Sequence, residues 1–202
     1  MEVAERLAAE MAAQINGGAR NVVLAGGTTP MRAHELLGPL VDDWRGVHLW
    51  FGDERCVPPD DPDSNYGQAA ARLQAPGATW HRMKGELGPD AGAADYAEEL
   101  GDTVLDLLVL GIGPDGHTAS LFPHHPLLDA EGSVVGVHDS PKPPPERITL
   151  TLPRINVARQ IVLAVTGEEK RDALERVLAG PDRGTPASLL ARDRLLLISD
   201  LA

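Results

Sequence analysis

Residues 104–112 read VLDLLVLGI, an apolar run broken only by Asp106 and Gly111. Such a run is what a strand buried on both faces of a parallel sheet requires. It stops at Gly113-Pro114, and Asp115, Gly116 and His117 follow at once, ahead of a short helical pattern. An acid and an imidazole therefore stand just past the carboxyl end of a central strand, where open α/β sheets place their ligands. The same residues also suit a plain strand-to-helix turn, with Asp115 as the helix cap and His117 in the first turn.

The rest of the chain repeats this alternation. Val3, Leu7, Met11 and Ile15 lie four apart and predict an amphipathic helix over 2–15, ended by Gly17-Gly18. Residues 21–25 (NVVLA) predict a short buried strand, and Gly26-Gly27-Thr28-Thr29 leads into a helix that starts at Pro30. The two glycines let the backbone approach a ligand closely, and the free N–H groups of a helix start favour an anion; a simple strand-to-helix turn with a threonine cap fits as well. Residues 47–51 (VHLWF) predict another strand, ending in Asp53, Glu54 and Arg55, which also fit a surface ion pair. After a stiff proline-rich loop, Ser64-Asn65 caps a helix through Leu73, a short strand follows near Trp80, and 90–101 is helical.

Strands are predicted at 133–138, 147–152, 160–165 and 194–199, with a rigid SPKPPP connector at 140–145. The connector carries Lys142, and Arg147 opens the next strand. Lys170 falls in the first turn of a helix over 168–178, where a cation is ordinarily disfavoured, so it either answers an anionic ligand or is simply exposed. Strands alternating with helices imply a doubly wound, mostly parallel α/β sheet with helices on both faces, and 202 residues suit a single domain over 1–202.

A net charge of −12 leaves no Lys/Arg cluster for a nucleic-acid backbone, and it requires any anionic ligand to find a local basic pocket. There is no apolar span of about 18 residues and no signal peptide pattern, so no membrane partner is expected. The lone Cys56 cannot form an internal disulfide, and a reducing cytoplasm is the expected compartment.

Taken together, AGGTTP at 25–30, FGDERCVP at 51–58 with SNYG at 64–67, GIGPDGHTASLFP at 111–123, SPKPPPERITLT at 140–151 and VTGEEKRDAL at 165–174 resemble the 6-phosphogluconolactonases in order and spacing along nearly the whole chain. That family is similar in fold to glucosamine-6-phosphate deaminase. The resemblance implies hydrolysis of 6-phosphoglucono-1,5-lactone to 6-phosphogluconate in the oxidative pentose phosphate pathway, without cofactor or metal, by a monomer or weak homodimer. It also implies a strand ahead of the first helix, whereas here the helical pattern begins at Glu2.

Lactone hydrolysis needs a water made nucleophilic, a stabilised oxyanion and a proton for the departing ring oxygen. His117 suits both proton transfers. Asp115 or Asp53 orients it or binds sugar hydroxyls, and Arg55 steadies carbonyl or hydroxyl oxygens. The resemblance places the phosphate on the amides of Gly27, Thr28 and Thr29, with Arg147 and Lys170 as its cations and Lys142 as a second choice. Two other readings use the same residues. An amino-sugar phosphate deaminase needs an acid in an AFNEP-like stretch where this chain has ASLFP and Phe122, and a sugar-phosphate sensor would carry a basic helix-turn-helix that is not seen here. A metal site at His117, His124 and His125 lacks the spacing of a zinc centre.

Overall fold

A computed structural model describes residues 2–201. The four-residue spacing gives helix α1 (Val3–Asn16), which buries Val3, Leu7, Met11 and Ile15 together because such residues share one helix face. There follow β1 (Asn21–Leu24), α2 (Thr28–Leu37), β2 (His48–Phe51), β3 (Asp53–Arg55), α3 (Asn65–Arg72), β4 (Thr79–Trp80) and α4 (Pro89–Leu100). The remainder forms β5 (Leu107–Gly111), β6 (Val134–Val137), β7 (Arg147–Leu150), α5 (Leu152–Asn156), β8 (Gln160–Val165), α6 (Arg171–Ala179) and β9 (Leu195–Ser199).

Six strands make one parallel sheet in the order β4-β2-β1-β5-β8-β9. The order runs outward from β1 through β2 to β4, and from β5 through β8 to β9, so the winding reverses between β1 and β5. That reversal opens a crevice beyond their carboxyl ends. The doubly wound α/β architecture expected from the alternation is the one observed. Residues 22–24 and 107–110 are fully buried, and α1 and α2 pack on each other and on β8, with α2 also reaching β5. No helix of the described residues is long and apolar enough to cross a membrane.

Five local expectations are corrected. The central strand begins at Leu107 rather than Val104, because the Asp106 carboxylate accepts the amides of Arg20 and Asn21, both at 2.9 Å, and so ends the pairing there. The sheet is not alone: β3, β7 and β6 form a separate antiparallel sheet, entered at Gly52, whose N–H still bonds Leu24 of the parallel sheet while its carbonyl accepts Leu150 N. No helix follows His117; Thr118 and Leu121 bridge across a tight turn instead. Helix α2 starts at Thr28, two residues before Pro30, with Gly27 at φ +94° ahead of it in place of a threonine cap. Strand β4 is also shorter than the stretch to Met83 suggests.

His34 on α2 is an unusual core residue. It has no exposed surface, and neither ring nitrogen has a hydrogen-bond partner. Burial, reinforced by the nearby Arg72 charge, pushes its imidazole down to about 4. The unfolded chain, near the ordinary value of about 6.5, therefore takes up a proton that the folded chain refuses, so this residue's contribution lowers stability as pH falls from 6.5 towards 4. His34→Leu should remove that dependence: its stability advantage over the natural chain, measured by urea unfolding, is expected to widen by about 2 kcal/mol between pH 7 and pH 5. Parallel pH dependences of the two proteins would show that His34 is not the titrating group.

Candidate active site

The crevice at the β1/β5 reversal holds a cavity of about 310 Å³, within the range of small-molecule sites. Its lining includes Gly27, Thr28 and Thr29 after β1, Asp53 and Arg55 on β3, His117 after β5, Arg147 on β7 and Lys170 ahead of α6. A wider groove of about 740 Å³ beside Trp44, Tyr66 and Trp80 presents no imidazole, lysine or arginine, and so offers little chemistry.

The loop after β5 is built to present one imidazole. Gly113 N donates to His117 O at 2.9 Å, Gly116 N to Gly113 O at 2.9 Å, and Thr118 Oγ1 to Gly111 O at 2.8 Å. Gly116 sits at φ +90° against Thr185, a conformation that a side chain would strain. Arg176 ties the segment from outside, with Nε on Thr185 Oγ1 at 3.0 Å and Nη2 near Pro114 O. The result is a 2.5 Å contact from His117 Nδ1 to Asp115 Oδ1. A proton held on Nδ1 by this carboxylate leaves Nε2 as the acceptor. The acid left undecided by the sequence is thus Asp115: it touches the imidazole, although it does not line the cavity.

Burial lowers the His117 pKa, and the hydrogen bond and charge of Asp115 only partly offset this. The ring is therefore neutral near pH 7. Burial alone would raise the Asp115 carboxyl, but its contacts with His117 hold it below the usual range. Phe122, fully buried, packs against the imidazole with ring centroids 5.0 Å apart, and the Arg147 guanidinium lies 5.8 Å from the Phe122 ring.

Asp53 has a different setting. Its Oδ2 accepts Ser120 Oγ at 2.7 Å, and Asn65 Nδ2 donates to its carbonyl at 2.9 Å and to Oδ1 at 3.3 Å. Asn65 is buried, and its Oδ1, which has no partner, lies where a Cβ on Gly26 would fall, at 2.0 Å. Glu54 is not a surface ion pair. It is buried at the start of α3, where it accepts Asn65 N, Tyr66 N, Arg55 N and Ser64 Oγ between 2.7 and 3.0 Å. A carboxylate in that position satisfies the open amides of a helix start and fixes Asn65 beneath Asp53. Burial nonetheless raises the Glu54 pKa against these bonds.

The cations divide into two groups. Lys170 and Arg55 face the cavity, Arg55 with one Nη donating to Asp63 O at 2.5 Å. Arg147 also lines it, but its Nε and Nη2 hold the carbonyls of Pro144, Lys142 and Pro143 at 3.1–3.2 Å, so much of this side chain frames the proline-rich loop. Lys142 is not brought into the cavity. Its ammonium sits behind the Asp115–His117 pair. Asn65 lines the cavity, while Ser120 braces Asp53 and Glu54 braces Asn65; periodicity and spacing do not mark these three, although each falls inside one of the quoted motifs. No three His, Cys, Asp or Glu side chains among the described residues converge as a metal site, and His125 is taken up by Asp139 at 2.9 Å.

A Cβ on Gly113 would fall 2.1 Å from the His117 ring and 2.6 Å from Asp115 Oδ1. Gly113→Ala is therefore expected to fold with a nearly unchanged Tm but to lose roughly 10²-fold in turnover, the cost of displacing a catalytic group by about an ångström. Undiminished turnover would mean that the pair tolerates displacement and does not act in concert.

The family model of glucosamine-6-phosphate isomerases/6-phosphogluconolactonase matches residues 1–198. The 6-phosphogluconolactonase of Streptomyces coelicolor is 39% identical, over 94% of this chain and 83% of that one. The human 6-phosphogluconolactonase is 45% identical over 70% of this chain, a match that spans 60% of the human protein. Among solved structures, 6-phosphogluconolactonase from Thermotoga maritima superposes with a TM-score of 0.86 at 26% identity, over 98% of this chain and 94% of that one. The chain belongs to the family of glucosamine-6-phosphate isomerases and 6-phosphogluconolactonases.

Proposed function

We propose that this chain is a carboxylic ester hydrolase that opens 6-phosphoglucono-1,5-lactone to 6-phosphogluconate, with His117 as the base that activates water. The observation that carries the reading is the Asp115–His117 pair at a cavity that His117 shares with a helix start and with Arg55, Arg147 and Lys170. Nε2 of His117 takes a proton from water as the hydroxide adds to C1. The tetrahedral oxyanion collapses, the bond from C1 to the ring oxygen breaks, and the imidazolium returns the proton to that oxygen. Asp53 accepts hydrogen bonds from sugar hydroxyls, and Arg55 steadies the oxyanion.

The phosphate lies on the Thr28 and Thr29 amides at the start of α2, with Lys170 and Arg147, whose Nη1 makes only a long 3.5 Å hydrogen bond to Ser120 Oγ, supplying charge. This is the local basic pocket that a chain of net charge −12 needs for an anionic ligand. Phe122 favours lactone hydrolysis over deamination. Where ring opening of an amino sugar calls for a further carboxyl beside the histidine, this chain packs an apolar ring. A cytoplasmic location and a monomeric or weakly dimeric state fit a metabolic enzyme of this kind.

The deciding experiment is a lactonase assay with freshly generated 6-phosphogluconolactone, corrected for spontaneous opening. His117→Asn should fold but lose roughly 10²–10⁴-fold in kcat, the usual scale for an acid–base group. Glucosamine 6-phosphate should release no ammonia. Catalytic ammonia release without acceleration of lactone opening would overturn the reading. Lys170→Ala is expected to raise KM for the phosphorylated lactone roughly 10–100-fold while barely affecting unphosphorylated gluconolactone, as loss of one charge-assisted hydrogen bond implies. Equal losses on both substrates would place Lys170 away from the phosphate.

A further inference from the structure

We infer that Lys142 is a positioning residue for the Asp115–His117 pair and not a phosphate ligand: its ammonium lies 3.4 Å from both Asp115 oxygens and 3.2 Å from His117 Nδ1. This deepens the lactonase reading and rests on His117 as its base. The ammonium approaches the edge of the imidazole opposite the reacting Nε2. From there it donates to the same carboxylate that receives the Nδ1 proton, so Asp115 is held from two sides.

The SPKPPP segment exists in this shape to hold that ammonium. Ser140 Oγ accepts Lys142 N at 3.2 Å and donates to Lys142 O at 2.8 Å, closing a small turn around the residue. Arg147 clamps the same carbonyl and the next two from the other side, at 3.1–3.2 Å. A long flexible side chain on a loose loop would make a weak surface pair. Here the backbone at its root is fixed by four hydrogen bonds, three of them from side chains that are themselves buried.

The second consequence is electrostatic. Groups facing His117 are Asp115 on its own loop, Lys142 on the proline-rich loop, Asp53 on β3, and Arg147 across the Phe122 ring. Arg55 and Lys170 share the cavity. The two carboxylates favour the imidazolium; Lys142, the nearest cation, opposes them. Burial is the larger effect lowering the His117 pKa, and Lys142 adds to it against the tight Asp115 contact; without the ammonium the ring would hold its proton to higher pH. With it, the imidazolium formed during attack is also a stronger acid towards the ring oxygen. Lys142 thus lets Asp115 orient the imidazole without over-stabilising its charged form.

The test is the titration of the His117 ring by NMR in the free protein, its resonance identified by its loss in His117→Asn. Lys142→Met should raise the His117 pKa by about 0.5–1 unit, the effect of a unit charge about 4 Å away in a water-like dielectric. The acid limb of kcat/KM should move up by the same amount, with the ratio of KM for phosphorylated and unphosphorylated lactone unchanged. Lys142→Arg, which keeps the charge, should restore most of the titration. Ser140→Ala, which loosens the turn, should shift it in the same direction by less. An unmoved His117 titration, or a KM increase confined to the phosphorylated lactone, would overturn the inference. The titration needs no turnover, so it stands apart from the lactonase assay: a shift in a protein without lactonase activity would refute the reaction and leave the coupling intact.

Discussion

The pairing of β1 with β5 governs where this chain can do chemistry. Strand order runs away from that pair on both sides, so the connections leaving the two strands diverge and no crossover covers the gap. Gly26 and Gly27 enter the gap from β1, and residues 113–117 enter it from β5. The register Val22↔Leu107 and Val23↔Leu108 sets the height of one loop against the other. A slip of one residue would move His117 by about 3.3 Å relative to the α2 start and turn buried side chains to the wrong face. Burial of both strands therefore fixes the site as well as the core.

The antiparallel sheet completes what the parallel sheet begins. It pairs Arg55 with Arg147 and Asp53 with Thr149, bringing a strand from the second half of the sequence to the rim of the crevice. Two arginines directly across a ladder repel each other. The repulsion is relieved by turning Arg147 onto the loop carbonyls and Arg55 onto Asp63 O, with the Asp53 carboxylate nearby. Three cations, Arg55, Arg147 and Lys170, thus line the cavity against one carboxylate, Asp53, which leaves it locally basic within an acidic chain. Arg147 links stability to function in this way, since the guanidinium that contributes charge also holds the loop that carries Lys142.

The buried parallel strands were legible because continuous apolar runs have few alternatives, and the turn motifs were legible because glycine, proline and capping residues act locally. Most of the site followed, since ligands in open sheets lie at strand ends. What was not legible depended on contacts distant in sequence. Asp106 ends β5 by binding the amides of residues 20 and 21. Glu54 looked like a surface charge, yet it caps a helix eleven residues on. The short strands at 134–137 and 147–150 were found, but nothing in their alternation told whether they joined the main sheet or β3. Lys142 could be read only as a cation on a stiff loop; its partner 27 residues away is set by how that loop folds back.

The surroundings of His117 set the charge of its ring by opposing effects. An imidazole in an apolar pocket resists protonation, and each neighbouring carboxylate reverses that tendency by stabilising the charged ring. Here the balance has one carboxylate in contact at Nδ1, one cation beside it and an aromatic ring packed against the imidazole. A neutral base suits a lactone, whose C1 is already electrophilic and whose reaction starts with removal of a proton from water. Opening a pyranose ring starts instead with delivery of a proton to the ring oxygen, for which a more readily protonated histidine is needed. In this chain the side chain packed against the His117 ring is the apolar Phe122, which adds no charge to stabilise an imidazolium and so leaves the balance on the side of the neutral ring.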